Sequence, residues 1–314
     1  MTNIKTGIVT KSTGSNYTVN SNTEIFSCKI KGKFRLKGIR TTNPIAVGDK
    51  VDFEIQEEKT GVILKIHERQ NYIIRKSINL SKESHILAAN VDQAILLVTL
   101  AFPETEQEFI DRFLVSSEIY KIPAKIIFNK IDLYTPELME YVEYLSRIYK
   151  NVGYDCFNIS AKNSTNVNLI KDLLKDKTSV IAGNSGAGKT TLINCLDNSL
   201  NLKTSSLSDY HLKGKHTTTF AEMFELKSGG FIIDTPGIKG FGVVDMNKED
   251  IAHNFPEMFN LLGNCRFYNC KHIHEPGCAV KEAVESGEIA DFRYISYVNI
   301  MEGDENRYRE DNYK

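Results

Sequence analysis

The apolar positions change their rhythm twice along the chain. Up to about residue 70 they come in short runs: Gly7-Ile8-Val9-Thr10, Tyr17-Thr18-Val19, Glu24 to Leu36, Lys50 to Ile55 and Gly61 to Ile66. Turns such as Gly14-Ser15-Asn16 and Asn43-Pro44 separate them. Five short strands in that length predict a small Greek-key barrel of the OB type over residues 1–70. Asn71 to Asn90 reads as a connector. Ala94-Ile95-Leu96-Leu97-Val98 and Ala124 to Phe128 are then continuous apolar runs, the pattern of strands buried on both faces. Between them Phe109, Ile110, Phe113, Leu114 and Ile119 repeat at helical spacing. Strand alternating with helix predicts an α/β domain with a parallel sheet over 71–245. From 246 to 314 the pattern is mainly helical, with Phe255, Met258, Phe259 and Leu262 before a Cys/His cluster and Ile295, Tyr297, Val298 and Ile300 after it. The charged stretch from Glu302 to Lys314 reads as a frayed end.

Composition adds little to this picture: 41% of residues are hydrophobic and 25% charged, as in an ordinary globular protein. No run approaches the roughly 18 apolar residues of a membrane span, and Met1 to Gly7 lacks a signal-peptide core. A cytoplasmic, disulfide-free protein without membrane contact is expected. Charge is more informative. Residues 1–76 hold fourteen Lys/Arg against seven Asp/Glu, although the whole chain carries only −1. The barrel therefore reads as a polyanion-binding module. Lys29, Lys31, Lys33, Arg35 and Lys37 fall at every second residue, on one face of a strand, with Phe26 and Phe34 in the same run. Such a face suits an RNA backbone, with an aromatic for stacking.

The chemistry centres on Gly183-Asn184-Ser185-Gly186-Ala187-Gly188-Lys189-Thr190, which fits the phosphate-loop pattern G-x-x-x-x-G-K-[ST]. A strand ending in Ser179 to Ala182 precedes it, and Thr191 to Leu196 opens a helix behind it. Backbone N–H groups would wrap the phosphates, Lys189 would reach the β- and γ-phosphates, and Thr190 would hold Mg²⁺ beside Thr191. Asn129-Lys130-Ile131-Asp132 fits N-K-x-D, in which the Asp132 carboxylate accepts from the ring N–H and amine of guanine, donors that adenine lacks. Ser160-Ala161-Lys162 supplies the usual second base-binding loop. Asp234-Thr235-Pro236-Gly237 brings a carboxylate to the metal region and a backbone N–H to the γ-phosphate. Among Thr217, Thr218 and Thr219, Thr218 is the expected switch ligand of Mg²⁺. The order is permuted: N-K-x-D and S-A-K precede the phosphate loop. The segment after Gly237 therefore leads directly into the C-terminal part, which nucleotide state can move as a lever.

With these motifs on the page, the chain resembles the circularly permuted, small-ribosomal-subunit-dependent GTPases of the RsgA/YjeQ type. Ala89 to Gln93, Ile110 to Phe113, His216 to Thr219 and His274 to Cys278 carry the resemblance too. It implies an OB-fold, a permuted GTPase domain and a zinc-binding helical domain acting in late small-subunit maturation, with GTP/GDP and the subunit's rRNA as partners. A one-to-one ribosome ligand is expected to be a monomer. Cys265, Cys270, His272 and Cys278 form C-x₄-C-x-H-x₅-C, three thiolates and one imidazole suited to one structural Zn²⁺. His274 is a competing imidazole two residues on. Where many GTPases place a water-orienting Gln after D-x-x-G, this chain has Ile238. His216, beside the switch threonines, is the candidate catalytic group, and a histidine at that place is implicated in the resembled family. The alternative to an enzyme timed by the subunit is a nucleotide-gated RNA-binding module in which hydrolysis is incidental.

Overall fold

The computed structural model describes residues 3–22, 24–30, 44–76, 84–202, 221–234 and 250–302. The first five strands, β1 (Ile4–Ser12), β2 (Tyr17–Ser21), β3 (Glu24–Ile30), β4 (Lys50–Ile55) and β5 (Thr60–Ile66), lie in the order β1-β2-β3-β5-β4, and β4 pairs back on β1. That return closes a barrel and leaves no open edge. Alternate residues point inward: Val9, Tyr17, Val19, Phe26, Cys28, Val51, Phe53 and Ile63 fill the interior. Phe26 packs there with its ring centroid 5.0 Å from that of Phe53. It is therefore a core residue and no stacking platform, because its period-2 position faces inward while Lys29 faces out. Lys31, Lys33, Phe34, Arg35 and Lys37 lie outside the described residues.

The stretch read as a connector contains structure. Strands β6 (Tyr72–Lys76) and β7 (Ser84–Ala89) form a separate antiparallel pair. Backbone bonds and the Asn90 side chain fasten its base to the barrel, with Ala89 N–H donating to Val47 O and Asn90 Nδ2 donating to Gly48 O, each at 2.9 Å.

The central sheet runs β10-β9-β8-β11-β13-β12, formed by β8 (Gln93–Val98), β9 (Ala124–Phe128), β10 (Asp155–Asn158), β11 (Thr178–Gly183), β12 (Glu222–Glu225) and β13 (Phe231–Asp234). All are parallel except β12. The continuous apolar runs split by parity, as a strand's alternation requires. Ala94, Leu96 and Val98 pack with α1 (Gln107–Ile119) and α2 (Pro136–Asn151). Ile95 and Leu97 pack with α3 (Val167–Leu174) and α4 (Lys189–Leu196) on the opposite face. Helix α2 starts where the sequence allows, with Pro136 in the first turn and the Thr135 hydroxyl accepting from Leu138 N–H at 3.3 Å. A single register pair, Lys11 with Glu222, joins β12 to the barrel's β1.

The C-terminal helices α5 (Pro256–Phe259), α6 (Ala279–Glu285) and α7 (Asp291–Glu302) share a core that includes Val115 of α1. The seam with α1 and α2 of the α/β layer is charged. Arg293 of α7 and Asp111 of α1 are 1% and 0% exposed, and Arg293 Nη1 donates to Asp111 Oδ1 at 2.7 Å. Its Nε and Nη2 fork onto Glu257 at 2.7 and 3.1 Å, and Tyr149 OH donates to Asp111 Oδ1 at 2.9 Å. Burial pushes the Asp111 carboxyl up despite the guanidinium beside it.

Candidate nucleotide site and metal centre

The sheet delivers the motif loops to one end. The phosphate loop leaves β11 at Gly183 and enters α4 at Lys189. Gly183 and Gly188 have φ of 145° and 97°, and both are hemmed in. A Cβ on Gly183 would lie 2.5 Å from Leu97 O, and one on Gly188 would lie 2.5 Å from Asn129 Nδ2. Only glycine meets both demands. Lys189 Nζ donates to Gly183 O at 2.5 Å and to Asn184 O at 2.9 Å, so the ammonium lies folded onto the loop it spans. Ala187 is buried, while Ser185 and Gly186 are exposed and Thr190 and Thr191 half-buried.

Asn129 holds three loops together. Its amide is 1% exposed. Nδ2 donates to Ala187 O in the phosphate loop at 2.8 Å, and Oδ1 accepts from Ala161 N–H at 3.0 Å. Residues 129, 161 and 187 thus meet at one side chain. Asp132 is exposed at its rim, where Oδ1 accepts from Ser160 Oγ at 2.5 Å; that hydroxyl also accepts from Asn163 N–H at 3.1 Å. Lys130 sits in the left-handed region at φ 64°, and its ammonium donates to Phe102 O.

Three contributors had no motif to announce them. Tyr134 OH donates to Asn129 O at 2.7 Å and accepts from Leu100 N–H at 2.8 Å, clamping the end of β9 to the end of β8. Pro103 lies against Gly186, and Phe102 beside it is 80% exposed. Asp234 is placed by backbone only, its Cα opposite Ile181 on β11 and Glu222 on β12. His216, Thr218, Gly237 and Ile238 lie outside the described residues.

The metal centre lies between α5 and α6. The ligand atoms of Cys265, Cys270, His272 and Cys278 all fall within 4.8 Å of one another, a cluster that can hold a metal ion. His272 Nδ1 is 3.5 Å from Cys265 Sγ and 3.4 Å from Cys278 Sγ. His274 is exposed and outside the cluster. Burial pushes the Cys270 thiol up to about 12 and also raises that of Cys278, while it lowers the His272 imidazole. These are the shifts of donors gathered away from water: neutral thiols without a cation, thiolates with one. The loop is pinned from two sides. Tyr294 OH donates to His272 O at 2.8 Å and Tyr297 OH to Lys271 O at 2.7 Å. Glu275 accepts from the N–H groups of Lys271, Ile273 and His274 at 3.0, 3.2 and 3.1 Å. Burial alone would raise its carboxyl, but those donors outweigh it and hold it at about 2. Tyr297, which the sequence pattern places among the apolar positions, is thus also a hydrogen-bond donor.

Comparison with known proteins agrees with the geometry. Residues 66–244 match the family model described as RsgA GTPase, and residues 6–63 match that of the RsgA N-terminal domain. The small ribosomal subunit biogenesis GTPase RsgA of Christiangramia forsetii is 56% identical over 312 residues, spanning 98% of this chain and 99% of that protein. RsgA 2 of Bacteroides thetaiotaomicron is 52% identical over 305 residues, spanning 96% and 98%. Among solved structures, YjeQ from Thermotoga maritima superposes with a TM-score of 0.77 at 36% identity, covering 95% of this chain and 97% of that one. YloQ, described as a circularly permuted GTPase, gives 0.73 at 30% identity, covering 97% and 96%.

Proposed function

This chain belongs to the RsgA family of GTPases, and on that premise we propose that it hydrolyses GTP in the biogenesis of the small ribosomal subunit, with the subunit and its rRNA as partners. The observation that carries the site assignment is the Asn129 knot, which ties the N-K-x-D, S-A-K and phosphate loops together. Asp132 reads guanine from the rim, with Ser160 and Ala161 closing over the base. The backbone from Gly183 to Gly188, with Lys189, cradles the phosphates, and Thr191 completes the start of the helix. Thr190, Thr218 and the Asp234 region hold Mg²⁺, which supplies charge neutralisation at the phosphates. Gly237 offers its N–H to the γ-phosphate.

Hydrolysis is in-line attack of water on the γ-phosphate, served by positioning and charge stabilisation. The Ile238 side chain has no hydrogen-bonding group, so we assign water orientation to His216. If His216→Ala left both basal and subunit-stimulated turnover unchanged, that assignment would be wrong. The four-donor cluster fits Zn²⁺ by ligand type and number, and we assign it a structural role, since three thiols and an imidazole complete a tetrahedron and leave no open position. The protein is read as a cytoplasmic monomer; no helix among the described residues is long and apolar enough to cross a membrane.

The test is GTP turnover with and without purified small subunits. Stimulation by small but not large subunits supports the reading. Nucleotide-dependent subunit binding without stimulation favours a gated binding module instead.

A further inference from the structure

A cavity of about 340 Å³ opens between α2 and β10, at the edge of the central sheet and on its α1–α2 side. No residue assigned above to GTP or metal lines it. Its wall is polar, with Glu143, Ser146, Arg147 and Lys150 on α2 and Cys156 and Asn158 on β10. Two atoms in this wall are buried without a hydrogen-bond partner among the described residues, Ser146 Oγ and Asn158 Oδ1. Ser146 itself is only 7% exposed. A serine inside a helix commonly bonds back one turn. On α1 both Ser116 and Ser117 do so, donating to Arg112 O at 2.8 Å and Phe113 O at 3.0 Å. Ser146 departs from that habit, so its hydroxyl is left for something that enters the cavity.

Arg147 has two memberships. It lines the cavity, and it ends an aromatic stack along the exposed side of α2. The Tyr141 and Tyr144 rings lie 6.1 Å apart at an interplanar angle of 15°, and Arg147 Cζ is 5.8 Å from the Tyr144 centroid. Both tyrosines are exposed, at 37% and 40%. A guanidinium plane at the end of a stack accepts one more flat ring. Arg147 and Lys150 also bring two cations against the single carboxylate of Glu143. The Cys156 thiol, pushed up to about 12 by burial, stays neutral and adds no charge.

We propose that this cavity binds one ribonucleotide unit, with the base continuing the stack on Arg147, the phosphate held by Arg147 and Lys150, and the ribose 2′-hydroxyl donating to Asn158 Oδ1 or Ser146 Oγ. The same chemistry is offered by an unpaired nucleotide of an RNA strand and by a free mononucleotide. The proposal stands on the cavity alone and does not need the GTP or subunit assignments.

The test is photo-crosslinking of a short single-stranded RNA carrying 4-thiouridine to the whole chain, with GDP present to fill the guanine site. Adducts are mapped by mass spectrometry. The expected result is an adduct within residues 141–158, its yield lowered at least about tenfold by combined Arg147→Glu and Lys150→Glu. Ser146→Ala, too small a change to threaten folding, should lower it about threefold or more, and the deoxy analogue of the same strand should crosslink less by a similar factor. Competition by free uridine monophosphate identifies a mononucleotide site; competition by unlabelled RNA alone identifies a strand. Adducts confined to other peptides, or a yield at 141–158 that survives both Ser146→Ala and the double charge reversal, would overturn the proposal.

Discussion

The nucleotide pocket and the metal centre solve the same problem in opposite ways. Each must bring together side chains far apart in sequence. In the pocket the fold does this alone: strands β8, β9 and β11 end side by side, and one buried amide bonds across the loops that follow. Every group in that knot is already satisfied, and the ligand meets a finished surface. In the metal centre the donors are close, but neutral thiols beside a neutral imidazole gain little from proximity. The tyrosines and Glu275 shape the loop by its backbone, and a cation held there would supply the attraction between the side chains.

The largest effect that separates the two follows from removing the ion. A strong chelator should abolish cooperative melting of the C-terminal helices, since metal ligation supplies on the order of 10 kcal/mol in small zinc modules. GTP affinity should stay within about twofold, by equilibrium titration. Collapse of GTP binding on chelation would show the two regions to be one unit. His272→Ala should lose the metal, read as zinc per chain, and His274→Ala should keep it.

Next in size is the buried seam between the regions. Arg293→Met leaves Asp111 and Glu257 without their shared cation and should cost about 3–5 kcal/mol in denaturant unfolding. Replacing Arg293 and Asp111 by apolar residues together should recover part of that loss. Recovery would show that the price is for the stranded charge rather than for lost attraction.

A change confined to the pocket rim should be smaller and specific. Asp132→Asn should weaken GTP by about 2–3 kcal/mol while leaving the melting temperature in place, because Asp132 is exposed and Asn129 holds the loops without it. A large drop in melting temperature would mean that the rim, too, is part of the scaffold.

The smallest effect is one of pH. Asp197 caps the turn after α4; Ser199 Oγ donates to it at 2.5 Å, and the N–H groups of Lys227 and Ser199 donate at 2.9 Å each. The Ser199 hydroxyl first, then those backbone donors, hold its carboxyl below the usual range. The native value lies below the unfolded one, so this stabilisation is present above about pH 4 and drains away as pH falls through the native value. Asp197→Ala should therefore destabilise by about 1 kcal/mol at pH 7 and progressively less below pH 4. Equal loss at both ends of that range would remove the ionisation argument.

Much of this was legible in advance, for reasons visible in particular residues. Ala94 to Val98 announced a doubly buried strand because both of its faces are covered. The cysteine spacing announced a donor set because ligand type and short loops suffice to define one. The strand pair Tyr72–Lys76 and Ser84–Ala89 leaves little trace in the sequence because its strands are short, and Ile73-Ile74 followed by Arg75-Lys76 shows neither clean alternation nor a long apolar run. Phe26 shares a run with the alternating lysines but lies on the parity that the barrel buries, and alternation within one strand does not say which face turns inward. Arg293 and Tyr134 were invisible for a deeper reason. Asp111 lies 182 residues from Arg293 and Leu100 lies 34 from Tyr134, and no local pattern encodes a bond that only the finished topology creates.

The permuted order also sets a schedule for synthesis. A chain emerging from its N-terminus releases the loops at Asn129 and Ala161 first, and Asn129 waits for Ala187 before its amide is bonded on both sides. Asp111 waits longer still, for Arg293. Until then the Tyr149 hydroxyl can donate to it, but the carboxyl has no cation beside it in an interior where burial disfavours its charge. Among the described helices α7 is thus the one that locks α1, so a chain interrupted before Arg293 lacks that latch.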